Sequence, residues 1–517
     1  MEIDVALLDR FFAKQLLKNE ETEERLEFLI SLIKASREGD LCLDSDREIS
    51  LPSSIVEDGS TLFPSAPIVR DRNRYYLQKN WVLETYVLQQ VVRLKNRKTP
   101  LFYDAAVFES GLAKEALLPE QKTAVRHAFE SPFSIICGGP GTGKTYTAGR
   151  LVRLLATSRK QELKKRYRIA LAAPTGKAAL HLRSSLESSF PSDVVCEAAT
   201  LHRLLKIQPG ETRLFSNRRV DADLVLVDES SMMDIPLLAH LLESVGDETH
   251  LVLLGDPDQL PPVESGGLFS ELSDLFGVSL RTCMRTESAD LQAAARAIRD
   301  GDSESFFRTV PLASGWGDEL IEALYDRVCP LISATRPDPA EALRHYQRCR
   351  ILNALRQGPR GAEAINRQLF ERMEKMCKEG QWWAVPILAT ANLPKVNLFN
   401  GMAGVLIGQK KRGIRLADGT AHFAEVQEKG QSRLPPLELA FCLSVHKSQG
   451  SEYDEVVALF PQGSENFGRE SLYTAATRAK KRWEAVGERE IFEKMLAKRL
   501  RRVSGFKERF SFATLPG

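Results

Sequence analysis

With 517 residues the chain has length for three or four domains, and its 43% hydrophobic content supplies several cores. A net charge of only +2 excludes a global basic field, so nucleic-acid binding has to come from local grooves. The eight cysteines, at 42, 137, 196, 283, 329, 349, 377 and 442, form no C-x-x-C pair and have no histidine at ligand spacing. That pattern argues against a disulfide framework and against a zinc or iron–sulfur site.

The first segment carries Glu2, Asp4, Asp9, Arg10 and Lys14, and no apolar run approaches the roughly 18 residues of a membrane span, so the expectation is a soluble cytoplasmic protein without a leader. Residues 1–112 show no catalytic pattern. Apolar residues at three- and four-residue spacing predict helices over 5–17, 24–35 and 81–94, with a short strand at Arg74-Tyr-Tyr-Leu77. This is an α-rich N-terminal domain suited to docking.

From Leu118 to about Asp300 strand and helix alternate, the signature of a parallel α/β sheet. Strands are expected at 134–137, 168–173, 223–227, 250–254 and 278–282. A second α/β region follows over 301–517, with helices at 339–357 and 361–377 and strands at 386–390, 441–444 and 455–460. Between them, residues 396–435 are Gly-rich with short alternating segments, which predicts a small inserted β-barrel. The C-terminal run Lys494, Lys498, Arg499, Arg501, Arg502, Lys507 and Arg509 reads as a basic helix end on the surface, with DNA contact as the alternative.

One stretch organises the rest. Phe133 to Cys137 is an apolar strand, and Gly138-Gly139-Pro140-Gly141-Thr142-Gly143-Lys144-Thr145 follows it and opens a helix. This is the G-x-x-x-x-G-K-T pattern in the strand–loop–helix setting that it needs. Its glycines let several N–H groups converge on a phosphate, Lys144 reaches the outer phosphate oxygens, and the Thr145 hydroxyl suits Mg²⁺. The pattern implies nucleoside triphosphate binding. Leu224-Val-Leu-Val-Asp228-Glu229 is a buried strand ending in two acids: Asp228 is the candidate second Mg²⁺ ligand, and Glu229 the base for an attacking water. A further strand ends in Gly255-Asp-Pro-Asp-Gln259, where Gln259 is placed to sense the γ-phosphate.

These blocks, with A-A-P-T-G-K-A-A (172–179), T-L-H-R-L-L (200–205), S-V-H-K-S-Q-G-S-E (444–452) and L-Y-T-A-A-T-R-A (472–479), occur in an order that resembles the superfamily 1B DNA helicases, and within them the RecD branch. I-L-N-A-L-R-Q-G-P-R-G (351–361), A-T-A-N (389–392), L-F-N-G (398–401) and L-L-D-R-F-F-A (7–13) extend the resemblance over essentially the whole chain. It implies two RecA-like P-loop NTPase domains, over 113–300 and 301–517, with a small insertion at about 203–222 in the first. It also implies that the inserted barrel is SH3-like. By the same resemblance Gln121 reads adenine, Glu452 lies near the ribose, and Arg285 and Arg478 reach the γ-phosphate from the second domain. Pro174, Thr175, Gly176, Lys177, Thr200, His202, His446 and Lys447 line a single-strand groove. Met284 stands where related helicases often carry an aromatic, which implies softer nucleotide discrimination.

The activity so implied is ATP- and Mg²⁺-dependent translocation 5′ to 3′ on single-stranded DNA, in a heterotrimer with RecB-like and RecC-like subunits that processes DNA ends. The 1–112 domain would dock on the RecC-like subunit, and the nuclease would belong to the RecB-like one. The alternatives are a stand-alone helicase of the same superfamily and a structural subunit with a vestigial ATPase. Intact Lys144, Thr145, Asp228, Glu229, Gln259, Arg285 and Arg478 weigh against the latter.

Overall fold

The computed structural model describes the chain except residues 1–4, 19, 98–101, 161–165, 192–193, 209–217, 263–265, 285–288, 314, 392, 394–397, 399, 412–413, 415, 417–418, 424–435 and 514–517. Two parallel sheets form its frame. In the first, the strands run edge to edge as Gly277–Leu280, Phe133–Gly138, His250–Gly255, Leu224–Val227, Tyr167–Ala173 and Val194–Thr200. Every pairing in it is parallel. The inner strands are apolar without alternation because helices cover both faces: Phe133–Gly138, Leu224–Val227 and His250–Gly255 are buried at every position. Parallel pairing brings the carboxyl ends of these strands to one edge, where the loops carrying Lys144, Asp228 and Gln259 gather.

The second parallel sheet runs Leu312–Ala313, Ala479–Gly487, Tyr453–Phe460, Cys349–Asn353 and Cys442–Ser444. Here two expectations need correction. The helix expected over 339–357 stops at Arg348, and Cys349–Asn353 is a central strand. Ile351 and Leu352 lie on opposite faces of a sheet covered on both sides, which an apolar run alone does not distinguish from a helix end. The segment 386–390, expected in this sheet, instead belongs to Trp382–Ala389 in an antiparallel sheet ordered Leu331–Ser333, Trp382–Ala389, Ala403–Gln409 and Thr420–Phe423, with Leu437–Leu439 also paired to Trp382–Ala389. That sheet therefore recruits strands from both sides of 396–435, and residues 424–435 lie outside the described ones.

The N-terminal segment folds as two helices, Val5–Leu17 and Glu23–Arg37, over a four-stranded sheet of Cys42–Asp44, Arg74–Leu77, Ile68–Asp71 and Val56–Asp58. Helix Gln78–Lys95 joins it to the first parallel sheet, because Tyr86, Val87, Leu88, Val91 and Leu94 share one core with Leu238, Leu241 and Leu242 of helix Ile235–Ser244. Helix Ala289–Asp300 packs Ala294, Ala297 and Ile298 into the core of the second sheet.

The basic C-terminal run is not simply a surface helix end. Helix Phe506–Ala513 buries Phe506 and Phe510 in the first core, Arg509 donates to the buried Glu84 at 2.9 Å, and Arg502 donates to the Glu38 carbonyl. Among the described residues no helix is long and apolar enough to cross a membrane.

Candidate nucleotide and strand site

The loop after strand Phe133–Gly138 turns through Gly141 and Gly143, whose φ angles of +76° and +82° a side chain would strain, into helix Lys144–Ser158. The N–H groups of the first helical turn have no partner within the helix, and a helix N-terminus that follows such a loop suits an anion. Within this chain the Lys144 ammonium donates to the carbonyls of Gly138 at 2.6 Å and Gly139 at 3.2 Å. Gln121 stands behind the loop: its Oε1 accepts from the Leu118 N–H at 3.0 Å and its Nε2 donates to the Thr142 carbonyl at 3.3 Å. The amide expected to read adenine is thus bonded at both ends within the chain.

Asp228 and Glu229 follow the neighbouring strand. Burial, then the Glu229 charge, pushes the Asp228 carboxyl up to about 6, while the Lys144 charge opposes the rise. Glu229 holds φ at +51°, an unfavourable conformation for a residue with a Cβ, and its N–H donates to Asp228 Oδ1 at 2.9 Å. Strain of this kind persists where the surroundings fix the side chain's direction.

Thr145 and Asp228 offer a hydroxyl and a carboxylate, the hard oxygen donors that Mg²⁺ takes in pairs beside substrate phosphates and water. Among the described residues no cluster of three His, Cys, Asp or Glu side chains is set to hold a metal by itself. The donor set fits Mg²⁺ that is shared with a nucleotide.

Across the cleft stand groups from the second sheet. Tyr473, on helix Gly468–Ala476, donates its hydroxyl to Asp256 Oδ2 at 3.1 Å. The same oxygen accepts from Gln259 Nε2 at 3.4 Å, and Gln259 Oε1 is buried without a hydrogen-bond partner. Leu260 N–H donates to Thr474 Oγ1 at 2.9 Å. A cavity of about 240 Å³ runs between the phosphate loop, Asp256, Arg281 and helices Ala289–Asp300 and Gly468–Ala476. Arg478 is buried, and its guanidinium donates to the carbonyls of Thr474 and Ser451, each at 3.3 Å. Arg285 lies outside the described residues. Its neighbour Met284 is 57% exposed and donates its N–H to the Gly141 carbonyl at 2.8 Å, which ties this segment to the phosphate loop.

The strand-groove candidates fall into two sets. Pro174 ends the strand Tyr167–Ala173, Thr175 caps helix Gly176–Leu186, and Lys177 crosses to Ser451 Oγ of the second domain at 3.0 Å. Lys447 is ion-paired with Glu438 of the antiparallel sheet, and half-buried His446 has its ring beside Phe467. Burial, then the charge of Arg502, lowers the His446 pKa. Thr200 caps the single turn Leu201–Leu204, and His202 is exposed on it. Glu452 lies 3.7 Å from Lys480. Asp256, Ser451, Tyr473 and Thr474 were not among the expected site residues. Their signal was polar side chains inside buried blocks, such as Tyr473 and Thr474 in Leu-Tyr-Thr-Ala-Ala.

Residues 121–265 match the family described as an AAA domain, and residues 439–483 match the UvrD-like helicase C-terminal domain. The chain is similar to the RecBCD enzyme subunit RecD of Mycolicibacterium smegmatis, with 33% identity over 95% of this chain and 94% of that one. It is also similar to the ATP-dependent RecD2 DNA helicase of Deinococcus radiodurans, with 29% identity over 72% of this chain and 50% of that one. Among solved structures, the Pif1 helicase from Candida albicans aligns at 16% identity and a TM-score of 0.40, over 77% of this chain and 99% of that one.

Proposed function

The chain belongs to the RecD family of RecBCD enzyme subunits, and on that premise we propose that it moves 5′ to 3′ along single-stranded DNA beside RecB-like and RecC-like partners. It is an ATP-dependent DNA helicase, the motor subunit of a RecBCD-type enzyme. The observation that carries the site-level reading is the facing of the phosphate loop and Gln259 by Tyr473 and Thr474 from the second domain.

In this reading the loop 138–145 cradles the phosphates of ATP, with Lys144 leaving its carbonyl partners for their oxygens. Thr145 and Asp228 hold Mg²⁺, which when bound supplies positive charge where phosphate charge builds up. Glu229 accepts a proton from the attacking water, and Gln259 responds to the γ-phosphate. Arg478 brings positive charge from the second domain and Arg285 adds to it, so that nucleotide draws the domains together and hydrolysis releases them. Gln121 serves adenine by exchanging its bond to Thr142, and Glu452 serves the ribose.

Pro174, Thr175, Gly176, Lys177, Thr200, His202, His446 and Lys447 form the strand groove. Lys177 and Lys447 exchange Ser451 and Glu438 for DNA phosphates, which makes binding salt-dependent. The antiparallel sheet around Trp382–Ala389 is assigned as the SH3-like unit. Residues 1–112 are assigned as the docking domain, supported by the exposed Leu7, Leu8, Phe11 and Phe12 on helix Val5–Leu17.

The test is steady-state ATP hydrolysis by the full chain with and without a single-stranded oligonucleotide, alone and in the assembled complex. DNA is expected to raise turnover, and Lys144→Gln to lower it by more than about a hundredfold, the scale of losing one charge-stabilising donor. Equal turnover of the two proteins in both settings would sink the motor reading.

A further inference from the structure

We infer that Tyr473 is a positioning residue for hydrolysis: from the second motor domain, its hydroxyl fixes Asp256 and, through it, the amide of Gln259. The inference rests on the role given to Gln259 above.

Three observations carry it. First, Asp256 Oδ2 accepts from both Tyr473 Oη at 3.1 Å and Gln259 Nε2 at 3.4 Å, while Oδ1 accepts from the Asp258 N–H at 3.1 Å. With its nitrogen turned to Asp256, the Gln259 amide presents Oε1, buried and without a partner. An amide oxygen left unpaired in the interior is unfavourable in the resting chain, and it is the end of the amide that can accept a hydrogen bond from a water.

Second, the hydroxyl lies close to the phosphate loop as well as to Asp256. A Cβ built on Gly139 would lie 2.9 Å from Tyr473 Oη, so a side chain there would press on the hydroxyl that reaches Asp256. One O–H group thus sits where the loop and the Asp256–Gln259 pair meet.

Third, the second domain grips the remainder of this turn. Thr474 Oγ1 accepts from the Leu260 N–H, Gln449 Nε2 donates to the Leu260 carbonyl at 3.2 Å, and the Leu260 side chain is buried in the second domain's core. The orientation of Gln259 is therefore set by where the second domain stands. When that domain moves away, Asp256 loses the Tyr473 hydrogen bond and the amide is held less firmly. Burial raises the Asp256 carboxyl to about 6, and the Lys144 charge and the Tyr473 hydrogen bond both work against that rise, so the hydroxyl also favours the ionised acceptor.

The experiment is ATP hydrolysis by the full chain at saturating single-stranded DNA, in whichever setting, isolated or assembled, the wild type is active. Tyr473→Phe is expected to lower kcat by about tenfold to a hundredfold and to leave KM for ATP within about twofold, since it misplaces a group without removing a binding contact. Added to Gln259→Ala, the same substitution should cost almost nothing further, because the hydroxyl acts through that amide. Asp256→Asn provides a second route and should show the same loss and the same non-additivity. A Tyr473→Phe enzyme within twofold of wild type, or losses that multiply with Gln259→Ala, would overturn the inference. A wild type silent in both settings would overturn the motor reading instead.

Discussion

At the scale of single residues, parallel pairing gathers groups that stand far apart in the chain at one edge of the first sheet. Lys144 opens the helix that follows strand Phe133–Gly138, Asp228 directly follows strand Leu224–Val227, and Gln259 lies in the turn after strand His250–Gly255. Tyr473 was not legible as a site residue because its partner Asp256 lies 217 positions away and nothing local announces the pairing. His250 shows a different property of such strands. Burial pushes its imidazole down to about 4. Between that value and the ordinary 6.5 the unfolded chain takes up a proton that the folded chain refuses, so folding stability falls as pH drops through this window. Asp228 and Asp256, raised to about 6, act in the opposite direction and are common to wild type and a His250 variant. On acidification from about pH 7.5 to about pH 4.5, His250→Leu is therefore expected to lose about 2 kcal/mol less stability than wild type. Urea unfolding at the two pH values checks this, and identical pH slopes would remove His250 as a contributor.

At the scale of elements, helix Val5–Leu17 and strand Arg74–Leu77 have the bounds that their periodicity predicts. Cys349–Asn353 was mistaken for helix because both of its faces are covered and it follows a helix directly. The C-terminal helix was misjudged for a related reason. Its arginine and lysine read as solvated, yet their partners come from distant elements, Arg509 with Glu84 and Lys507 with Asp274, and its Glu508 pairs with Arg74 of the N-terminal sheet. Glu84 is fully buried, and burial raises its pKa, so Arg509, the Tyr76 hydroxyl and the Gly505 N–H are needed to hold its charge. Phe510 completes the attachment, with its ring 5.3 Å from that of Phe276. Phe510→Ala removes a buried ring from a core shared by the N-terminal segment and the first motor sheet. A loss of about 3 kcal/mol is expected, together with early proteolytic release of the C-terminal segment. Urea titration and timed proteolysis of the full chain measure both. A variant as stable and as resistant as wild type would show that the helix is only appended.

At the scale of the whole molecule, a net charge of +2 leaves no general attraction to pull this chain onto a partner or onto DNA, so assembly must use local surface. Helix Val5–Leu17 turns Asp9, Ala13 and Leu17 inward and leaves Leu7, Leu8, Phe11 and Phe12 outward, with Leu7 65% and Phe11 55% exposed. Aromatic side chains held on a rigid helix lose little freedom on docking, which is why such rings carry much of the energy at interfaces. The helix packs through Ala13 and Leu17 on helix Glu23–Arg37 and the N-terminal sheet, in a core separate from those of the two parallel sheets, so these side chains can be altered without touching the nucleotide cleft. If this face seats the RecC-like subunit, Leu7→Asp with Phe11→Asp should weaken that association by more than about thirtyfold, the effect of losing roughly 2 kcal/mol or more at a buried anchor. DNA-stimulated hydrolysis by any fraction that does assemble should stay near wild type. Binding titrations against the isolated RecC-like subunit, beside the ATPase assay, separate the two effects. Unchanged affinity would move the docking role off this helix. Loss of hydrolysis within assembled complexes would mean that docking and motor action share more of the chain than the N-terminal face.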